Sequence, residues 1–144
     1  MRVLLDTNVV SELRKVRSGK ADPGVSTWAE RIDAADLYLP SIAVLELELG
    51  VLLMERRDPA QGSLLRAWLD HQVLPAFDQR ILPVDAGVAR IAAGLHVPDP
   101  RPVRDALIAA TAIAHGMTLA TRNVVDFAGT GVALLNPWGD RAAE

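Results

Sequence analysis

Residues 2–8 of the chain read Arg2-Val3-Leu4-Leu5-Asp6-Thr7-Asn8. An apolar run meets an acid and two small polar residues, and apolar residues then recur at helical spacing. This pattern predicts a short buried strand that ends at Asp6 and a helix that starts almost at once. Ligands of open parallel α/β sheets bind beyond the carboxyl ends of the strands, so Asp6 is aimed at that crevice. The alternative is that Asp6 or Thr7 only caps the helix.

The composition is that of a globular domain. The chain has 144 residues, of which 50% are hydrophobic and 23% are charged, so we expect one domain spanning residues 1–144. No apolar run approaches the roughly 18 residues of a membrane span, and Asp6 interrupts any signal-peptide core. The chain has no cysteine, which excludes disulfides and thiolate metal sites. We therefore expect a cytoplasmic protein that does not enter the membrane.

Short apolar strands alternate with helices along the chain. The pattern predicts strands at residues 3–5, 37–39, 80–84, 117–121 and 132–135. It predicts further helices at residues 23–35, 41–57, 61–77, 86–95 and 103–115. This alternation indicates an α/β fold, a three-layer α/β/α sandwich around a central parallel sheet of about five strands.

The predicted helix at residues 41–57 is apolar on nearly every side. Its main apolar stripe consists of Ile42, Leu45, Leu49, Leu52 and Leu53. Val44, Leu47, Val51 and Met54 occupy other faces. A helix of this kind is buried on several sides, which predicts an oligomer interface in addition to the core.

Three acids besides Asp6 stand in unexpected places. Glu46 lies at the edge of the apolar stripe, Asp105 begins a helix with apolar neighbours, and Asp126 follows the strand ending near residue 121. Each has an ordinary explanation as a solvated helix residue, a partner of the helix dipole or a turn residue. Together with Asp6, however, they fall on one edge of the predicted sheet.

Several carboxylates in one crevice repel each other, and a cation offsets that cost. Oxygen ligands without cysteine favour Mg²⁺, with Mn²⁺ as a substitute. We expect Asp6 and Asp105 to bind the metal directly, with Glu46 and Asp126 holding waters or a second ion. Such a site activates a water for attack on a phosphodiester.

Four motifs in order resemble a PIN domain, most closely the VapC toxin family with its FitB-like members. They are Leu5-Asp6-Thr7-Asn8, Glu46-Leu47-x-x-Gly50, Asp105-Ala106-x-Ile108-Ala109-Ala110-Thr111-Ala112 and Thr121-Arg122-Asn123-x-x-Asp126-Phe127. The ending Leu135-Asn136-Pro137-Trp138 is also similar. The resemblance implies a Mg²⁺-dependent endoribonuclease that is the toxin of a type II toxin–antitoxin pair. It also implies a homodimer, silenced by a VapB-type antitoxin whose tail covers the acidic site, within a larger toxin–antitoxin assembly.

Carried over by position, the resemblance assigns metal binding to Asp6 and Asp105, and the third acid to Glu46. For the fourth position both Asn123 and Asp126 remain open, because many PIN domains have an acid where Asn123 stands. Thr7, Asn8 and Arg122 rank second, as residues that bind phosphate or orient the acids. Arg122 has two alternatives, to neutralise the acids or to contact RNA.

Two other functions compete with the nuclease. An aspartyl-nucleophile phosphatase also places Asp after its first strand, but Asn8 stands where its second acid is required. A non-catalytic PIN fold that binds RNA or protein is the third reading. The net charge of −3 is unlike that of many nucleic-acid binders. Local basic residues are usually part of a solvated surface, and they are also the candidates for RNA contacts: Arg14, Lys15, Arg17, Lys20, Arg101 and Arg104.

Overall fold

The computed structural model describes residues 1–139. Its five strands are β1 (Val3–Leu5), β2 (Leu37–Pro40), β3 (Ile81–Leu82), β4 (Thr118–Ala120) and β5 (Leu134–Leu135). Its α-helices are α1 (Thr7–Leu13), α2 (Pro23–Arg31), α3 (Ser41–Arg57), α4 (Pro59–Trp68), α5 (Leu74–Ala76), α6 (Ala86–Leu95) and α7 (Val103–Ala114). A π-helical turn covers Leu69–Val73, and 3₁₀ turns cover Ala34–Asp36 and Val124–Phe127.

The strands form one parallel sheet in the order β3-β2-β1-β4-β5. Val3 pairs with Leu37 on one side and with Thr118 on the other, so β1 is the central strand. From β1 the chain adds β2 and β3 on one side, then crosses back to place β4 and β5 on the other. The strand order therefore reverses between β1 and β4, and the crevice beyond their carboxyl ends is where ligands of such sheets bind.

Helices cover both faces of the sheet, which confirms the predicted three-layer α/β/α fold. Val3 and Leu5 point into a core formed with α1, α2 and the segment α4–α5. Leu4, between them, points to the opposite face, where it packs with Ile108 and Ala112 of α7. This alternation follows from the two-residue period of a strand, which sends successive side chains to opposite faces.

The predicted apolar stripe of α3 is wrong. The buried residues of the helix are Ile42, Ala43, Leu47 and Val51. Four leucines of the predicted stripe are exposed instead: Leu45, Leu49, Leu52 and Leu53. The reason is that α3 packs between the sheet and α4, and a helix that is apolar all round carries no periodic signal for the face that meets the core.

Two predicted helices differ from those in the structure. The helix predicted to reach residue 35 ends at Arg31, after which Ile32 is extended and Asp33 caps a separate 3₁₀ turn. The helix predicted for residues 61–77 begins at Pro59 and contains the π-helical turn. Pro75 lies just after that turn, and a proline within a helix removes one backbone hydrogen bond and clashes with the preceding turn.

Two predicted helix boundaries are confirmed. Asp85 caps α6, because its Oδ1 accepts a hydrogen bond of 2.9 Å from the backbone N–H of Val88. Gly116 ends α7 with a φ of +63°, a conformation that favours glycine. The last two predicted strands are shorter than expected, and β5 contains only Leu134 and Leu135.

Candidate functional site

Asp6 stands at the carboxyl end of β1, and its side chain is held from two sides. Its backbone N–H continues the sheet by donating to the carbonyl of Ala120 at 2.9 Å. Its Oδ1 accepts from the backbone N–H of Thr7 at 2.8 Å, and its Oδ2 accepts from Thr121 Oγ1 at 2.8 Å. Asp6 itself is the N-cap of α1, so of the two capping candidates, Asp6 and Thr7, the structure selects Asp6. The carboxylate caps the helix and also borders the crevice.

Thr121 is a site residue that sequence reasoning missed. It follows β4 and is fully buried. Its hydroxyl donates to Asp6 and accepts a hydrogen bond of 3.0 Å from the backbone N–H of Asn123. Thr121 thus joins the ends of β1 and β4 to the turn that carries Asp126. The available signal was a polar residue directly after an apolar strand, in register with Asp6 on the neighbouring strand.

Glu46 projects from the second turn of α3 toward the same crevice. Its Oε1 accepts a hydrogen bond of 2.8 Å from Thr7 Oγ1, and its Oε2 lies 3.8 Å from Arg104 Nη1. Glu48, two residues on, faces elsewhere and pairs with Arg66 at 2.6 Å, as does Glu55 at 3.2 Å. Glu48 and Glu55 therefore share Arg66 on a side of α3 that faces away from Glu46.

Asp105 and Asp126 act electrostatically on the same crevice. The pKa of Asp105, in the first turn of α7, is raised by burial and then by the charges of Asp6, Asp126 and Glu46. Burial also raises the pKa of Asp6, hydrogen bonds from Thr121 and Thr7 oppose this, and Glu46 and Asp126 raise it further. The structure therefore brings Glu46 and Asp126 close enough to Asp6 and Asp105 for their charges to raise the pKa of both.

The donor chemistry of these acids suits a hard divalent cation. They offer carboxylate oxygens, and a cation beside them would relieve the repulsion that raises the pKa of Asp6 and Asp105. Within residues 1–139 no group of three or more histidine or acidic side chains is arranged to hold one ion together. This is compatible with Mg²⁺, which typically takes one or two carboxylates and keeps several waters.

The remaining predicted residues lie on the rim of the crevice. Asn8 Nδ2 is 3.4 Å from Asp6 Oδ2, and Asn8 Oδ1 accepts a hydrogen bond of 3.3 Å from the backbone N–H of Arg122. The guanidinium of Arg122 lies over the ring of Trp138, 5.5 Å from its centroid. Asn123 and Asp126 are both exposed; Asn123 directly precedes the 3₁₀ turn, and Asp126 lies within it. Only Asp126 of these two carries a charge that acts on Asp6 and Asp105.

Comparison with known proteins decides the family. Residues 3–129 match the family described as PIN domain, a match that contains all four acids. The chain belongs to the PIN domain family. PIN-domain ribonucleases as a family depend on divalent metal ions.

Relatives of this PIN domain match it over nearly the whole chain. Toxin FitB of Neisseria gonorrhoeae is 38% identical, over 96% of this chain and 99% of that protein. VapC ribonuclease Y4jK of Sinorhizobium fredii is 36% identical, over 94% of this chain and 97% of that protein. The crystal structure of FitAcB from Neisseria gonorrhoeae superimposes with a TM-score of 0.85 at 37% identity, covering 95% of this chain and 99% of that one. Other similar structures are toxin–antitoxin complexes.

The basic side chains of this PIN domain differ in whether they contact other residues of the protein. Arg104 faces Glu46, and Arg101 donates to the carbonyl of Leu95 at 3.1 Å, so both are engaged within the protein. After α1, Arg14 lies over the ring of Trp68 and Lys15 pairs with Glu12. Arg17 and Lys20 are exposed in the following turn.

In the described part of the chain, no helix combines the length and the hydropathy that crossing a membrane requires.

Proposed function

We propose that this PIN domain is a Mg²⁺-dependent endoribonuclease and the toxin of a VapBC-type toxin–antitoxin pair. The observation that carries the proposal is that Asp6, Glu46, Asp105 and Asp126 meet at the carboxyl edge of β1 and β4, where burial and the charges of Glu46 and Asp126 raise the pKa of both Asp6 and Asp105. A divalent cation would offset the repulsion within this cluster. Relatives named a toxin and a ribonuclease over nearly the full chain point to the same activity.

In this proposal Asp6 and Asp105 hold the metal, which would be Mg²⁺ with Mn²⁺ as a substitute. When bound, the metal lowers the pKa of a water and neutralises charge on the scissile phosphate. Glu46 and Asp126 accept hydrogen bonds from waters in the crevice. Thr121 holds Oδ2 of Asp6 and Thr7 holds Oε1 of Glu46, each through a bond of 2.8 Å, so that the two carboxylates keep their orientation before RNA binds.

The partners follow from the same proposal. The substrate is RNA, and the activity is silenced by a VapB-type antitoxin whose gene lies next to the gene for this chain. A homodimer is supported by the apolar surface on α3 and α4, where five leucines are exposed: Leu45, Leu49, Leu52, Leu53 and Leu64. The four leucines of α3 recur at helical spacing and so share one face of the helix, and exposed apolar residues grouped in this way are typical of a protein–protein interface.

A phosphatase is disfavoured by the surroundings of Asn8. The aspartyl-nucleophile mechanism requires an acid at this position. Asn8 instead uses its amide to bind the backbone of Arg122, with its nitrogen turned toward Asp6. Robust turnover of a generic phosphomonoester would contradict the nuclease proposal.

The test is to map RNA ends after inducing the wild-type chain and its Asp6→Asn and Asp105→Asn variants. We expect new ends only with the wild type, and purified wild type should cut RNA in Mg²⁺ but not in EDTA. Asp85→Asn is the matched control, because Asp85 also caps a helix after a strand and should leave cleavage intact. Asparagine also caps helices, so the Asp6 and Asp85 variants should fold, and Asp105→Asn should fold because Asp105 is not a cap of α7.

Three results would contradict the proposal. The same RNA ends in cells expressing Asp6→Asn would place the nuclease elsewhere. Cleavage that persists in EDTA would show that the reaction does not require a metal ion. RNA binding without any cleavage by the wild type would favour the non-catalytic binding module.

A further inference from the structure

Arg122 is held on the rim of the acidic crevice by contacts at two separate points. Its backbone N–H donates to Asn8 Oδ1 at 3.3 Å, and Asn8 in turn reaches Asp6. Its guanidinium lies over the indole of Trp138, 5.5 Å from the ring centroid. The hydrogen bond to Asn8 fixes the position of the Arg122 backbone, and the indole ring fixes the position of its guanidinium.

Trp138 is a fixed platform rather than a mobile side chain. It packs against the buried cluster around Val9 and Val10. Its backbone N–H donates to Asn136 Oδ1 at 3.0 Å, which closes the C-terminal turn. The turn is seated on the start of α2 so closely that a Cβ at Gly24 would lie 3.1 Å from the Trp138 carbonyl oxygen. A ring held in this way restricts the guanidinium above it.

In the described part of the chain, the guanidinium of Arg122 does not pair with the acids of the crevice, and the cation that lies beside Glu46 is Arg104, at 3.8 Å. Within residues 1–139 no carboxylate forms a salt bridge with Arg122. The guanidinium is therefore a positive group beside a site that would otherwise repel RNA, and no carboxylate of residues 1–139 occupies its N–H donors.

We propose that Arg122 binds a phosphate of the RNA strand next to the scissile bond, and that Trp138 is the positioning residue that preorganises it. This inference rests on the proposed nuclease function and deepens it. Guanidinium groups suit phosphate because several N–H donors lie in one plane. A stacked guanidinium loses less conformational freedom when it binds.

The test uses the Asp6→Asn chain as the parent, so that RNA is bound without being cut. Binding of a short fluorescein-labelled single-stranded RNA of mixed sequence is followed by anisotropy in Mg²⁺ over a series of KCl concentrations. One phosphate contact contributes about 0.7 to the slope of log K against log [KCl] for a single strand. We expect Arg122→Ala to weaken binding several-fold and to reduce the slope by about 0.7.

Variants of Trp138 separate positioning from packing. Trp138→Leu keeps an apolar side chain but removes the π face, and we expect it to shift affinity and slope in the direction of Arg122→Ala. Trp138→Phe keeps a ring and should stay near the parent. In the double variant Arg122→Ala/Trp138→Leu, the Trp138 change should add little, because its effect acts through Arg122.

Tyr38→Leu is the matched control. It removes the ring under Arg2, whose guanidinium lies 6.0 Å from that centroid at the opposite end of β1. We expect the parental slope, because this stack lies far from the crevice.

Each outcome decides something. If Arg122→Ala keeps the parental affinity and salt slope, the phosphate contact is overturned. If Arg122→Ala reduces the salt slope but Trp138→Leu keeps the parental slope, the positioning role of Trp138 is overturned. A folded Trp138→Phe that behaves like Arg122→Ala would also overturn it. Mg²⁺-dependent cleavage by the wild-type chain is measured separately, so a failure of this inference is distinct from a failure of the nuclease proposal.

Discussion

Thr121 donates a hydrogen bond of 2.8 Å from its Oγ1 to Oδ2 of Asp6, in a position where the threonine is fully buried and only 7% of the aspartate is exposed. The bond crosses from β4 to β1 at the carboxyl edge of the sheet. It stabilises the charged form of Asp6, and it is the largest influence that lowers the pKa of this carboxyl against the burial that raises it.

Thr121→Val should damage both stability and activity, because it keeps the shape of the side chain and removes the hydroxyl. We expect the free energy of unfolding to fall by about 1–3 kcal/mol, since Asp6 loses a buried donor. The pKa of Asp6 should rise further, which moves the acidic limb of the pH–rate profile of RNA cleavage to higher pH. Thr121→Ser keeps the donor and should restore the profile. A valine variant with the wild-type profile would show that the bond has no role in the chemistry.

Asp6 should destabilise the metal-free protein as the pH rises. Its folded pKa is raised above the ordinary 3.8, so the native state binds the proton more tightly than the unfolded chain does. The contribution of Asp6 to the free energy of unfolding therefore falls as the pH rises from 3.8 through the raised pKa, and it stays lower above that pKa. In EDTA at neutral pH, Asp6→Asn should accordingly melt at a higher temperature than the wild type.

Thermal melts in EDTA across a pH series check this expectation. The advantage of Asp6→Asn should shrink below pH 3.8, where both states of the wild type hold the proton. Excess Mg²⁺ should stabilise the wild type and not the variant, because only the native site binds the ion. Asp85→Asn, an N-cap outside the acidic crevice, should show neither effect. A melting temperature of Asp6→Asn below that of the wild type in EDTA would contradict the assignment.

The fourth position of the acidic site should belong to Asp126 rather than to Asn123. Asp126 acts electrostatically on Asp6 and Asp105, whereas the bond that ties Asn123 into the site comes from its backbone N–H to Thr121. We expect Asp126→Asn to lower kcat for RNA cleavage at least tenfold, about 1.4 kcal/mol of transition-state stabilisation. Asn123→Ala should cost much less, because its side chain makes no contact in this network. The reverse order of effects would assign the position to Asn123.

The exposed leucines of α3 should form a homodimer interface. Leu53 is 59% exposed. A charged side chain at position 53 would have to be desolvated in the dimer without a partner of opposite charge. Leu53→Glu should therefore give a monomer in size-exclusion chromatography with light scattering, while the wild type elutes as a dimer. Val97→Glu is the control, because Val97 is 75% exposed but lies after α6. A dimeric Leu53→Glu protein would place the interface elsewhere.

Much of the fold could be predicted from local patterns. The strand that precedes Asp6, the polar break after it and the alternation of strands and helices were enough to indicate a parallel sheet, because burial and turn chemistry act over a few residues. Asp6, Glu46, Asp105 and Asp126 could be proposed as a group for a similar reason. An acid at the end of a buried strand, or on an apolar helix face, is costly unless something pairs with it.

Other features could not be predicted, because they depend on contacts between distant residues. The face that α3 turns to the core was mistaken, since leucine occupies several sides of that helix and only packing against α4 and the sheet selects among them. The bonds from Thr121 to Asp6 and from Thr7 to Glu46 span 115 and 39 residues. No periodicity along the chain encodes such pairs.

The sequence by itself determined which residues are unusual: a buried strand ending in Asp6, and acids where apolar neighbours predominate. Those signals are local. An acid among apolar sequence neighbours is costly to desolvate, so it can be identified as unusual from the sequence alone. Only the tertiary structure decided how the residues are used. It brings the ends of β1 and β4 side by side, and it thereby makes Thr121 the partner of Asp6 and Trp138 the platform of Arg122. The physical reason is that hydrogen bonds and cation–π contacts act over a few ångströms in space, whatever the separation along the chain.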